Sequence, residues 1–179
     1  QTTGNTLINL SLWRKRKISM FEHDEDNEPL SGRSLAREIV VQVLFEDDLN
    51  PDGDPSLADQ FIVKRLQGVS DGLAEFTKEM IGELRQSRSL VDSILEESSE
   101  NWTLSRMAPT DRNILRLGVY ELTQTDTPGP VVIHEAVELA KRFGTGDSPR
   151  FVNGVLDRIF GGDSSGDSSD DSSGDSSDD

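Results

Sequence analysis

Cysteine is absent from all 179 residues, which excludes disulfides, thiolate zinc sites and cysteine nucleophiles. Histidine occurs only at His23 and His134, so a metal or catalytic centre built on clustered imidazoles has no material. No apolar run approaches the roughly 20 residues of a membrane-spanning helix. Leu7–Trp13 is too short for a secretory core, and its basic cluster follows rather than precedes it. A cytoplasmic location with no membrane association is the default expectation. Positive charge is scarce: 18 Lys and Arg stand against 34 Asp and Glu, for a net charge of −16.

That deficit is unevenly placed. From Gly161 onward the chain holds only Gly, Asp and Ser, including seven Asp and no base. Such a segment has no apolar surface to offset the entropy of ordering, so residues 161–179 are expected to be a disordered tail. Residues 1–32 form a second flank, acidic and poor in apolar residues from Phe21 to Gly32. The flank also carries the run Arg14-Lys15-Arg16-Lys17. Between the flanks, residues 33–160 read as one folded unit long enough for a core. An acidic protein is a poor prior for a nucleic-acid ligand. A local basic patch nevertheless binds phosphate whatever the total charge.

Within 33–160 the apolar spacing is helical throughout, and the class is all-α. A first helix is expected over about 33–49, with Leu35, Ile39, Val40, Val43 and Leu44 in apolar rows and Glu38, Gln42 and Glu46 in a polar row. Asn50–Pro55 is a loop by composition, with Asp54 a candidate cap for a helix over 56–67. A long helix follows over 71–98, with a kink expected near Gln86-Ser87. Residues 101–109 read as irregular or a short helical turn, with Trp102 in the core. Further helices are expected over 110–124, 131–143 and 149–160. Asp126–Pro130 separates the first two of these, and Gly144-Thr145-Gly146 the last two. In the last helix, Ser148-Pro149 supplies the start, and Asn153-Gly154 is expected to permit close packing against a neighbour.

Catalytic chemistry finds little support. His134 lies beside the apolar stripe of its helix and reads as a surface or boundary residue. Glu135 and Glu138 share the three-residue spacing of paired catalytic carboxylates, but solvated helices commonly show it. No phosphate-cradling glycine loop follows a strand, because no strand is expected. The chain is therefore expected to be a non-enzyme with no cofactor and no metal. Binding surfaces remain. Arg33 and Arg37 stand one turn apart at a helix start and can face one phosphate track. The plainer alternative pairs Arg37 with a neighbouring acid. Phe151, beside Arg150 and Asp147, has an aromatic ring that could stack a nucleobase or simply fill a helix seam.

Three sequence blocks carry a family resemblance. They are Arg33–Glu38 (RSLARE) with Gln42–Phe45 (QVLF), Asp111–Leu122 (DRNILRLGVYEL), and His134–Gly144 (HEAVELAKRFG) with Phe151–Asp157 (FVNGVLD). In content, order and spacing they resemble the NusB family of transcription antitermination proteins, over about residues 33–160. The resemblance implies a bundle of about six to seven helices in two small subdomains. It implies binding of boxA-type single-stranded RNA together with the small-subunit ribosomal protein NusE. It also implies entry into an RNA polymerase elongation complex with other Nus factors, promoting readthrough of rRNA operons. Carried over by position, the RNA-binding candidates are Arg33, Arg37, Asp147, Arg150 and Phe151. The partner-binding candidates are Asp111, Arg112 and Arg116. Ser34 stands where many members have another arginine, His134 where asparagine is commoner, and the Asp/Ser tail lies outside the family pattern.

Two alternatives belong to other classes. NusB-like domains also precede the catalytic domains of rRNA methyltransferases, but the residues after Phe160 offer no cofactor-binding α/β domain. The third reading is a helical scaffold that binds only protein.

Overall fold

The computed structural model describes residues 32–51, 55–98 and 103–163. The expectations for the N-terminal flank, for Asp54, for Trp102 and for most of the tail fall outside these residues. Among the described residues there are six α-helices, one short 3-10 turn and no strand, as the spacing predicts.

The first helix, α1 (Gly32–Leu49), is covered on all sides, with every residue from Ala36 to Phe45 buried. Two members of its polar row, Glu38 and Gln42, therefore face protein rather than water. Buried polar groups need partners. Gln42 donates to Glu38 at 3.1 Å, and Glu38 also takes the guanidinium of Arg142. The second helix, α2 (Pro55–Arg65), packs on α1, and Gly68 at φ 81° turns the chain toward α3 (Asp71–Ser98). No break interrupts α3 at Gln86-Ser87. The Ser87 hydroxyl donates to the Glu83 carbonyl at 2.9 Å, which accommodates the polar pair inside the helix.

After the turn at Leu104–Arg106, α4 (Pro109–Gln124) runs through the middle of the molecule. It packs against α1 and α3 on one side and against α5 (Gly129–Phe143) and α6 (Ser148–Asp163) on the other. The two groups of helices thus share α4, and one apolar cluster continues through both, from Val40 and Leu84 to Ile114, Ala140 and Leu156.

Helix α5 begins two residues earlier than its stripe suggests, because Pro130 suits a first helical turn as well as a break. Helix α6 runs on to Asp163, past Gly161-Gly162. Among the described residues, close helix contact does not come from Gly154, which is exposed with none of them within 4 Å of where a Cβ would stand. It comes from Gly118, where a Cβ would lie 2.7 Å from Leu156, and from Gly129, where it would lie 2.2 Å from the Phe160 ring. Helical spacing alone does not reveal which glycine faces a neighbour.

Candidate nucleic-acid interface

The start of α1 sets two arginines in opposite environments. Arg33 precedes the buried stretch and is exposed, its guanidinium 5.2 Å from the centre of the Phe76 ring. One turn later, Arg37 lies inside. Its Nε and Nη2 donate to the Glu121 carboxylate of α4 at 2.9 and 2.7 Å, and its Nη1 stands 3.8 Å from Glu135 of α5. Burial pulls the Arg37 pKa down, but the hydrogen bond and charge of Glu121, with Glu135 adding to them, hold it above the usual arginine value. Arg37 is thus a buried structural cation and does not present its guanidinium to a solvent-borne phosphate. The spacing predicts a shared face, but not that the face becomes interior after one turn.

Ser34, where a further arginine would thicken the patch, donates its hydroxyl to Glu135 at 3.0 Å. Two clefts flank Glu135. One, of about 560 Å³, includes Arg33, Phe76, Glu83 and Val131 in its lining. The other, of about 370 Å³, is lined by Ser34, His134, Glu138, Lys141 and Arg142 among others. Lys141 pairs with Glu138 at 2.6 Å and Arg142 pairs with Glu38, so this basic pair is balanced by acids.

The α5–α6 corner carries the second group of candidates. The backbone N–H of Thr145 donates to the Ser148 hydroxyl at 2.8 Å, fixing the turn that launches α6. Asp147 and Arg150 are exposed at that start. Phe151 is half-buried and packs against the core, so part of its ring serves the helix seam.

The partner-binding candidates at the start of α4 belong mostly to an internal ionic network. Asp48, at the end of α1, receives Arg112 at 2.6 Å, Arg116 at 3.0 Å, Asn113 at 3.1 Å, and Arg88. Arg116 also binds Asp92 at 2.6 Å and is buried, while the Arg112 side chain is 17% exposed. Burial pushes the Asp48 carboxyl up, but its arginine partners outweigh that and hold it below the usual range. Asp111 is also buried, and its Oδ1 has no hydrogen-bond partner. Burial pushes its carboxyl up, and a hydrogen bond from Ser148 offsets only part of the shift.

The i, i+4 spacing of Arg112 and Arg116 was visible in the sequence. Their shared acceptor Asp48, more than 60 residues away, was not. Tyr120, whose hydroxyl donates to Glu83, likewise carries no local sequence signal of that partner. Burial pushes the Tyr120 phenol well above its usual pKa, and Glu83 adds to that. No group of three metal-ligating side chains occurs among the described residues, and none of their helices is long and apolar enough to cross a membrane.

Comparison with known proteins places this geometry. The family model described as the NusB family matches residues 34–160. A transcription antitermination protein NusB of Anaeromyxobacter dehalogenans is 41% identical over 132 residues, covering 74% of this chain and 92% of that protein. The structure of T. maritima NusB superposes with a TM-score of 0.66 at 35% identity, covering 75% of this chain and 92% of that one. A crystal structure of antitermination factors NusB and NusE in complex with dsRNA gives a TM-score of 0.64 at 28% identity, covering 73% and 97%.

Proposed function

This chain belongs to the NusB family, and from that membership we propose that it is a transcription antitermination factor that binds RNA together with a NusE-type ribosomal protein. It acts by binding and positioning, without a catalytic step, in the cytoplasm. The RNA is of boxA type and single-stranded at the bases that are read, and the assembled complex joins elongating RNA polymerase on rRNA operons. The observation that carries the reading is the shared fold with a relative solved in complex with NusE and dsRNA, over 73% of this chain; that the bases read are single-stranded follows from the family resemblance alone.

The residues fit that role unequally. Arg33 and Arg150 are exposed cations that can reach phosphates, and the exposed edge of Phe151 can take a base. Asp147 precedes Arg150 and Phe151 at the start of α6, as an acceptor for base-edge donors. Arg37 contributes from within, holding α1 against α4 and α5 so that Arg33 keeps its place. Arg112 and Arg116 act in the same way on the partner side. Through Asp48 they fix the end of α1 and the start of α4, leaving Asp111 and the rim of Arg112 as the local polar groups.

A gel shift tests the proposal, using boxA-like RNA, a scrambled RNA and a duplex, each with and without the ribosomal protein. Preferential binding of the boxA-like strand, strengthened by the ribosomal protein and weakened by salt, is the expected result. Equal binding to boxA-like and scrambled RNA in both conditions would refute the proposal and favour a protein-only scaffold.

A further inference from the structure

Helix α6 carries a glycine that no other described residue packs against. Gly154 sits mid-helix, where glycine is less favourable than alanine because it leaves more backbone entropy to be lost. Gly118, by contrast, makes room for Leu156; Gly72 and Gly82 of α3 are as open as Gly154, which differs from them in standing between two exposed arginines one turn away on either side. At Gly154 a Cβ would meet nothing within 4 Å among the described residues, so none of them requires its absence. One turn before it stands Arg150, and one turn after it Arg158, both exposed. The three form a single stripe, with the arginines separated by about 12 Å along the helix axis.

We propose that this Arg150–Gly154–Arg158 stripe is a phosphate track for RNA, in which Gly154 lets the strand lie against the bare helix backbone between two guanidinium groups. The inference rests on the RNA-binding reading above and extends the surface at Arg150 and Phe151 along α6. Arg158 is held in place for the task, because its Nη1 donates to the Ser98 carbonyl at the end of α3 at 2.8 Å. The acids closest in sequence to the two arginines lie at the edges of the stripe. Asp157 takes the Asn153 amide along the helix edge, and Asp147 lies before the first turn of the stripe. The stripe itself presents no large apolar side chain. A protein interface would be expected to bury aromatic or aliphatic anchors there, whereas a polyanion needs cations and close approach.

The test measures binding of the full chain to a labelled boxA-like single-stranded RNA, by fluorescence anisotropy at several salt concentrations, alongside thermal unfolding. Gly154→Ala should raise the melting temperature, because the space is open and alanine favours helix. The same change should weaken RNA binding, and Gly154→Leu should weaken it about tenfold or more. Arg158→Ala should lower the salt slope by about 0.7, the increment for one single-strand phosphate contact. Opposite signs for stability and affinity at residue 154 would separate a contact from a folding defect. If the wild-type chain binds the RNA and all three variants match it in affinity and slope, the stripe is overturned while the RNA-binding reading stands. If the variants change only the uptake of the ribosomal protein, the track is overturned in favour of a protein contact. If the wild-type chain binds no RNA, both the stripe and the reading beneath it fail.

Discussion

Replacing Arg37 with alanine should damage the fold before it damages any RNA contact. The Arg37 and Glu121 side chains are 5% and 3% exposed, and their fork of hydrogen bonds runs from 2.7 to 3.2 Å. Removing the cation leaves a buried carboxylate uncompensated, which costs about 3–5 kcal/mol, against about 0–1 kcal/mol for an exposed pair. That is a large share of a domain stability of about 5–15 kcal/mol. With a urea slope of about 2 kcal/mol/M, the midpoint should fall by about 2 M. Urea unfolding followed by circular dichroism reads the shift directly. The double replacement Arg37→Met with Glu121→Met should recover most of the loss, since an apolar pair of similar volume often matches a buried ion pair. Arg33→Ala is the contrasting arm. It loses only a surface cation–π contact with Phe76, of about 0.5–1 kcal/mol, yet it should weaken RNA binding. A cost below about 1 kcal/mol for Arg37→Ala would refute the argument and return Arg37 to the accessible surface.

Asp48→Asn should destabilise the fold at neutral pH, leaving Arg88, Arg112 and Arg116 around a neutral amide. The folded Asp48 carboxyl titrates below its ordinary 3.8, so its stabilisation is present above pH 3.8 and disappears as pH falls through the folded value. The gap between variant and wild type should therefore narrow in acid, and a constant gap from pH 7 to pH 2 would count against the network. Gly118→Ala should cost about 1–3 kcal/mol, because its Cβ would press on Leu156 at 2.7 Å in a filled core; an unchanged melting temperature would show that Leu156 simply moves aside. With Arg33, Arg150 and Arg158 as the phosphate contacts, log K against log salt should slope at about −2 on single-stranded RNA. A slope steeper than about −4 would mean that cations beyond these three, such as the Arg14–Lys17 run, carry much of the binding.

The helices were readable because burial imprints a 3.6-residue period on the apolar positions, and each of the six lies near its expected bounds. Boundary errors arose where a residue serves two structures. Pro130 fits both a break and a first turn, and Gly161-Gly162 can extend a helix as well as end it. The ionic network was hidden for another reason. Local spacing reports which side chains share a face, but not what lies opposite, and Arg37–Glu121 and Arg112–Asp48 join residues 84 and 64 positions apart. The candidate site was legible mainly through the family blocks. A helix of strongly mixed polarity such as α1 gives no local signal that its arginine points inward.

Net charge is therefore a poor guide to what this surface can bind. Many of the described cations are consumed inside or along the fold: Arg37, Arg85, Arg88, Arg112, Arg116 and Arg142 all pair with carboxylates. Those pairs cancel in the net charge and add nothing to the field that a phosphate meets. On the proposed reading, what the RNA phosphates meet is local, at Arg33 on α1 and at Arg150 and Arg158 on α6, within a Debye length of about 8 Å at physiological salt. An acidic total is compatible with RNA binding because the acids and bases that set the total are largely not those that set the contact. The same division explains why Arg85, Arg88, Arg112 and Arg116, though numerous on α3 and α4, add little to the surface a phosphate meets. An arginine whose guanidinium is taken up by a carboxylate of the fold has its charge cancelled there, whereas one that holds RNA must keep charge and donors open to the strand.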